Sequence, residues 1–214
     1  MGARLVRGRR PVDAGVGLTP QPWWFGPQEL APPGDEAPFD LVLLDRDGTI
    51  NVRIPDGYVT APEELLLLPG AADGVARLTR AGCRTVLVTN QRGVARGLLS
   101  REGLVAVHRH LDALLAPAGG RLDAVAVCPH EQGGACRCRK PLDGLFREAL
   151  SRAPWARAER CVMVGDMPSD LEPAAGLGMR TEQVSAARDL AEVARLLAPS
   201  VRGSVVQRGE GHVP

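Results

Sequence analysis

Phe39-Asp40-Leu41-Val42-Leu43-Leu44 runs directly into Asp45-Arg46-Asp47-Gly48-Thr49. The first stretch reads as a buried strand, and the second places acidic residues at its end. On a strand, residues i and i+2 point to the same side, so Asp45 and Asp47 are expected to face one space, with Gly48 permitting a sharp exit. Two neighbouring carboxylates can share a divalent cation, and one can attack an electrophile while the other handles protons. Magnesium-dependent phosphoryl transfer through an aspartyl-phosphate is the chemistry this suggests. A solvated acidic turn is the plain alternative, and the rest of the chain must decide between them.

Outward from that strand, apolar runs alternate with helical periodicity. Strands are predicted over 39–45, 84–89, 122–127, 160–164 and 179–184. Helices are predicted from Pro69-Gly70 to near Gly82, from Ser100 (its N-cap) through Leu115, and over 142–152, 168–176 and 186–198. Near-continuous apolar strands separated by helices indicate a parallel sheet covered on both faces, an α/β three-layer sandwich of Rossmann-like type. In such sheets the site lies beyond the carboxyl ends of the strands. Asp45, Thr89-Asn90, Cys128 and Asp166 all stand at such ends. Residues 1–38, rich in Pro, Gly and Arg, are expected to be a poorly ordered extension on which Trp23-Trp24-Phe25 docks against the surface. Residues 39–200 are expected to form the domain, and 201–214 a flexible tail.

Composition narrows the classes. Of 214 residues, 44% are apolar and 24% charged, and the net charge is +1. That is an ordinary globular balance, with no global attraction to nucleic acid or membrane. No apolar run is long enough to span a bilayer. Met1 to Arg10 is basic but has no apolar segment behind it, so it does not read as a secretory signal and the cytoplasm is expected; a monomer is expected as well. Lys140 is the only lysine, Asn51 and Asn90 the only asparagines, and Tyr58 the only tyrosine.

Each rare residue falls near candidate chemistry. A phosphoryl centre needs compact positive charge, and lysine supplies a point charge where arginine supplies a planar fork. An arginine-rich chain that uses lysine at 140 suggests that the point charge matters there. Arg139 beside it could clamp a second anionic group, although the two could equally be a solvated basic pair. Thr89 and Asn90 could hold phosphoryl oxygens through a hydroxyl and backbone amides, or could simply cap a strand. Asp166 is expected to complete a magnesium shell with Asp45 and the carbonyl of Asp47. Asp170 could orient Lys140 or favour a helix N-terminus. Cys128-x-His130-x5-Cys136-x-Cys138 offers three thiolates and an imidazole, which matches a closed, tetrahedral, structural zinc site. Its expected role is to staple the loop that presents Arg139 and Lys140. Cys83 and Cys161, beside apolar strands, are expected to be inert core thiols.

Taken in order, Asp45 to Asn51, Gly57-Tyr58-Val59, Thr89-Asn90-Gln91, Gly93 to Gly97 and the Cys/His loop through Pro141 resemble the haloacid dehalogenase superfamily of phosphatases. Within it they resemble the zinc-loop subfamily of heptose-bisphosphate and histidinol-phosphate phosphatases. The resemblance covers about 39–182. It implies a capless fold with Asp45 as nucleophile and Asp47 as the acid that protonates the leaving oxygen and then activates water. Thr89 and Lys140 would steady the phosphoryl group, and Asp45, Asp47 and Asp166 would hold Mg2+. Asp56, Gly57, Tyr58, Asn90, Gln91 and Arg139 would contact a small phosphorylated substrate. The 7-phosphate of a D-glycero-D-manno-heptose 1,7-bisphosphate is the expected target, with histidinol phosphate or another small phosphomonoester as the alternative. Arg92 stands where the heptose enzymes usually have serine, Met167 where they commonly have lysine, and 51–58 is longer than usual. A zinc-stapled, non-catalytic binding module is the remaining reading, and near-zero charge with few aromatics argues against it.

Overall fold

The computed structural model describes residues 20–199. The expectations for 1–19 and 200–214 fall outside the described residues. Within them, strands β1 (Trp23–Phe25), β2 (Leu41–Leu44), β3 (Arg84–Asn90), β4 (Ala124–Cys128), β5 (Cys161–Gly165) and β6 (Arg180–Gln183) form one sheet in the order β1-β4-β3-β2-β5-β6. All neighbours pair in parallel except β1, which runs antiparallel to β4.

Two-residue alternation along β2 builds the layers. Val42 and Leu44 face one core with Leu87, Val125 and Val162. Into that core α1 (Ala71–Arg80), α3 (Arg101–Leu115) and α6 (Leu190–Leu197) bring Val75, Leu104, Leu111 and Val193. Leu41 and Leu43 face the opposite core with Val86, Val88 and Met163, covered by Phe146 of α4 (Gly144–Ser151). Ala174 of α5 (Pro168–Gly176) belongs to the same side. The central strand is therefore buried on both faces, as its unbroken apolar run requires. Helix α3 starts where the sequence puts its cap: Ser100 Oγ accepts from the Gly103 amide at 3.0 Å. A four-residue helical turn, α2 (Arg92–Ala95), follows β3 and has no periodicity long enough to announce it.

The expected loose extension is corrected over its described part. Residues 20–38 form a packed strap. Trp23, Trp24 and Phe25 pair with Val127, Ala126 and Val125. Leu30 is 2% exposed, its amide donates to the Arg152 carbonyl at 2.7 Å, and its carbonyl accepts from the Trp155 indole at 2.8 Å. Prolines at 20, 22, 27, 32, 33 and 38 preclude long regular structure, but not packing. The segment between β2 and α1 holds one 3-10 turn, Pro62–Glu64, and no inserted domain. That is the capless arrangement, with the carboxyl ends of β2, β3, β4 and β5 open to one cavity.

Candidate active site

The site is built on the turn that ends β2. The amides of Thr49, Ile50 and Asn51 all approach the Arg46 carbonyl, at 3.3, 2.9 and 3.1 Å, and the Gly48 amide donates to the Asn51 carbonyl at 2.8 Å. Gly48 has φ 96°, and a Cβ there would collide with the Asp166 carboxylate. Glycine is thus required twice over, for the left-handed backbone and for the close approach. The turn faces a cavity of about 610 Å3 lined by Asp45, Asp47, Asp56, Gly57, Tyr58, Thr89, Asn90, Gln91, Arg139 and Lys140, with Arg53, Arg92 and Arg96 beside them.

Lys140 is central. Its buried ammonium donates to Asp45 Oδ1 at 2.6 Å and to the Val88 carbonyl at 2.8 Å, and pairs with Asp170 Oδ1 at 2.7 Å. Burial opposes its charge, but Asp45 and Asp170 outweigh that and raise its pKa. Asp45 moves the other way from an ordinary carboxyl. Burial, with help from Asp170 and Asp47, pushes it up to about 7 against the pull of Lys140. Of the two roles open to Asp170, the pairing with Lys140 is realised. Its other oxygen accepts from the Met167 amide at 3.1 Å, so it also closes the start of α5.

Asp47 differs from the simple expectation of two carboxylates flanking one cation. Its side chain turns away, accepting from Arg46 Nη2 and Asn51 Nδ2 at 3.0 Å each and from Gln91 Nε2 at 3.1 Å. Strand alternation ends at Leu44, and the tight turn re-aims the residue. Burial would raise the Asp47 pKa, but Arg46, Asn51 and Gln91 prevail and lower it. The acids whose oxygens gather within 4.8 Å of one another are Asp45, Asp166 and Asp170. Asp47 faces that group with its backbone carbonyl, which shares Arg53 Nη2 with Asp166. Carboxylate oxygens plus a carbonyl are the hard donors magnesium takes, so the residues fit that ion.

The expected substrate contacts divide. Asp56, Gly57 and Tyr58 line the cavity on a turn where Asp56 has φ 52°. Tyr58 carries the Arg96 guanidinium 5.9 Å from its ring centre. Asn90 is turned to the protein: its amide nitrogen donates to the Lys140 carbonyl and its oxygen accepts from the Lys140 amide, both at 3.1 Å. Gln91 bridges Asp47 and the Thr89 hydroxyl, the latter at 2.8 Å. Both residues therefore position candidate catalytic groups, Lys140 for Asn90 and Asp47 with Thr89 for Gln91. Arg139 has a buried Nη1 with no partner among the described residues, and a buried donor at a cavity wall is one that an anionic ligand would satisfy. Arg92 and Arg96 both pair with Glu131. Sequence reasoning missed Arg46, Arg53 and Glu131, because nothing distinguishes them from the chain's many surface charges.

Cys128, His130, Cys136 and Cys138 converge as the spacing predicts. Cys128 Sγ lies 3.7 Å from His130 Nδ1 and 3.9 Å from Cys136 Sγ, and His130 Nδ1 lies 3.2 Å from Cys138 Sγ. A zinc tetrahedron with bonds of about 2.0–2.3 Å has edges of about 3.5–3.8 Å, so four soft donors already stand at zinc spacing. The thiols are unbridged. The Cys128 thiol falls to about 5, chiefly because Cys138 hydrogen-bonds to it.

A buried acid at a strand end, a buried lysine paired with it and acidic groups after a later strand, on an open α/β sheet, are the arrangement expected from the sequence for a phosphoryl-transfer hydrolase. Residues 24–178 match the haloacid dehalogenase-like hydrolases, and the chain belongs to that family. It is 43% identical over 138 residues to the D-glycero-β-D-manno-heptose-1,7-bisphosphate 7-phosphatase of Bordetella bronchiseptica, covering 64% of this chain and 76% of that protein. It is 41% identical over 131 residues to the α-anomer-named 7-phosphatase of Mycobacterium tuberculosis, covering 61% and 69%. Among solved structures it resembles the B. bronchiseptica D,D-heptose 1,7-bisphosphate phosphatase complexed with magnesium and phosphate. The TM-score is 0.68 at 37% identity, over 73% of this chain and 97% of that one.

Proposed function

We propose that the protein is a magnesium-dependent phosphomonoesterase that removes the 7-phosphate of D-glycero-D-manno-heptose 1,7-bisphosphate through an aspartyl-phosphate on Asp45. One observation carries the reading: Lys140 Nζ, 2.6 Å from Asp45 Oδ1, holds the acid at the floor of a cavity whose other walls are Asp47, Thr89 and Arg139.

In the first step a carboxylate oxygen of Asp45 bonds to phosphorus, and the bond from phosphorus to the ester oxygen breaks. Asp47 gives that oxygen its proton. Arg46, Asn51 and Gln91 favour the ionised form of Asp47, the form that accepts a proton in the second step, and the negative ester arriving beside it favours the protonated form for the first. In the second step Asp47 takes a proton from water, the water oxygen bonds to phosphorus, and Asp45 is released with inorganic phosphate. The Thr89 hydroxyl holds a phosphoryl oxygen throughout, and Lys140, its three N–H groups committed to Asp45, Asp170 and the Val88 carbonyl, steadies the phosphoryl group by its charge. Magnesium on Asp45, the Asp47 carbonyl and Asp166 would, when bound, ionise Asp45 and offset charge on the phosphoryl group.

The second phosphate of a bisphosphate needs its own cation, and the unpartnered donor of Arg139 supports that role, with Asp56, Gly57 and Tyr58 beside the sugar. The relatives named for the two anomers are 43% and 41% identical, so the reading extends to the heptose bisphosphate irrespective of anomer. Zinc on the Cys/His cluster is structural in this reading: four protein donors leave no open position. We take the protein to act as a cytoplasmic monomer on a small phosphorylated sugar, without nucleic acid or membrane. The net charge of +1 gives no global attraction to nucleic acid or to a membrane surface, and no helix among the described residues is long and apolar enough to cross a membrane.

The test is phosphate release from the heptose bisphosphate, its monophosphates and histidinol phosphate, with magnesium or with a chelator, using Asp45→Asn as the blank. Fastest release from the bisphosphate, abolished by the chelator and by the substitution, is expected. A preference for histidinol phosphate would move the assignment to that substrate.

A further inference from the structure

Arg53 sits in the loop between β2 and α1, with its side chain half exposed. One nitrogen, Nη2, donates to the Asp47 carbonyl at 2.7 Å and to the two Asp166 carboxylate oxygens at 2.9 and 2.8 Å. Those groups are two of the three magnesium ligands in the reading above, on which this inference rests. The third, Asp45, is held by Lys140, as is Asp170. Asp166 is thus the member of the acidic group whose charge is balanced by a half-exposed cation from the loop.

We propose that Arg53 is a tethered cation that competes with magnesium for the Asp47 carbonyl and the Asp166 carboxylate, and so sets the ion's affinity. Magnesium needs oxygen lone pairs at about 2.0–2.1 Å in near-octahedral directions, and the Arg53 hydrogen bonds take the same lone pairs. Two positive charges a few ångströms apart also repel. The ion therefore enters as the guanidinium leaves. Departure needs no backbone change, because an exposed arginine has several rotatable bonds and open solvent beside it. By linkage, whatever draws the guanidinium away strengthens magnesium binding to the same degree. An anionic ligand at the mouth of the cavity, which Arg53 also lines, is the class of molecule that does so.

The experiment is calorimetric titration of magnesium into the intact protein, the Arg53→Ala and Arg53→Lys variants, and Asp166→Ala, at fixed ionic strength, with the magnesium-induced rise in melting temperature as a second readout. A half-exposed ion pair is a weak competitor, so Arg53→Ala should bind magnesium about two- to fivefold more tightly. Its melting temperature should rise more at a given magnesium concentration, and Arg53→Lys should fall between. Equal or weaker magnesium binding by Arg53→Ala overturns the competition while leaving the metal site standing. If Asp166→Ala binds magnesium as the parent does, or if none of the proteins binds it, the metal site itself is wrong, and the competition falls with it.

Discussion

Lys140 has three N–H donors, and the structure gives it three acceptors: Asp45 Oδ1, Asp170 Oδ1 and the Val88 carbonyl. A compact ammonium can satisfy such a trigonal set, whereas the planar fork of arginine cannot. With the side chain only 2% exposed there is no room for the larger head either. Lys140→Arg should therefore displace Asp45 and lower kcat on the order of a hundredfold although the charge is kept, with the fold retained. Steady-state kinetics beside a melting curve checks this, and a fully active variant would refute the point-charge argument. This residue was legible beforehand, because a lone lysine in an arginine-rich chain stands out. Asp170 was only half legible, since an acid in the first turn of a helix has two uses and sequence does not choose between them. Arg53 was not legible at all. Its meaning depends on a contact with Asp166, 113 positions away, and one arginine among many carries no mark.

The elements that matter most for function are strand ends and the loop they launch. Register sets Asn90 of β3 opposite Cys128 of β4, and the Gln91 amide donates to the Cys128 carbonyl at 2.8 Å. Asn90 then clamps the Lys140 backbone from both sides. The loop that delivers the ammonium is thus fixed at its start by β4, at its end by Asn90, and between them by the Cys/His cluster. Releasing that middle tie should lower the melting temperature by several degrees, about 2–4 °C for each kcal/mol in a chain this size. It should also reduce turnover indirectly, because Lys140 loses its fixed place. Scanning calorimetry and activity after stripping zinc with a chelator, and for Cys136→Ala, test this; a zinc-free protein with full stability and turnover would contradict the staple. Long periodic helices such as α1 and α3 were readable because their apolar faces repeat over several turns. β1 was not, since three residues between prolines give no period, and its strand character comes wholly from the β4 edge it covers.

At the scale of the whole molecule, the strap starts beside the carboxyl end of β4 at Trp23, and its later part lies at the end of the sheet opposite the site. After pairing with β4, the strap runs past the starts of the strands. Arg84, the first residue of β3, donates to the carbonyls of Ala31 and Pro32, the Gly34 amide donates to the Gly82 carbonyl, and Arg160, just before β5, donates to the Ala37 carbonyl. The proposed catalytic groups stand at the other ends of those strands. A chain begun at Phe39 would keep every proposed site residue but lose these bonds, the burial of Leu30 and the cover over β4. Burying one leucine contributes about 1.5–3 kcal/mol, and an uncovered strand edge is a template for pairing with another chain. Compared with a chain begun at Pro20, the shorter one should melt several degrees lower and form larger species in light scattering. At temperatures where it is still folded, its kcat should be close to that of the longer chain, because nothing in the strap reaches Asp45 or Lys140. Equal melting temperatures and equal size distributions would mean that the strap adds nothing to the fold and that the domain begins at β2. A loss of kcat without a loss of stability would mean that the two ends of the sheet are coupled.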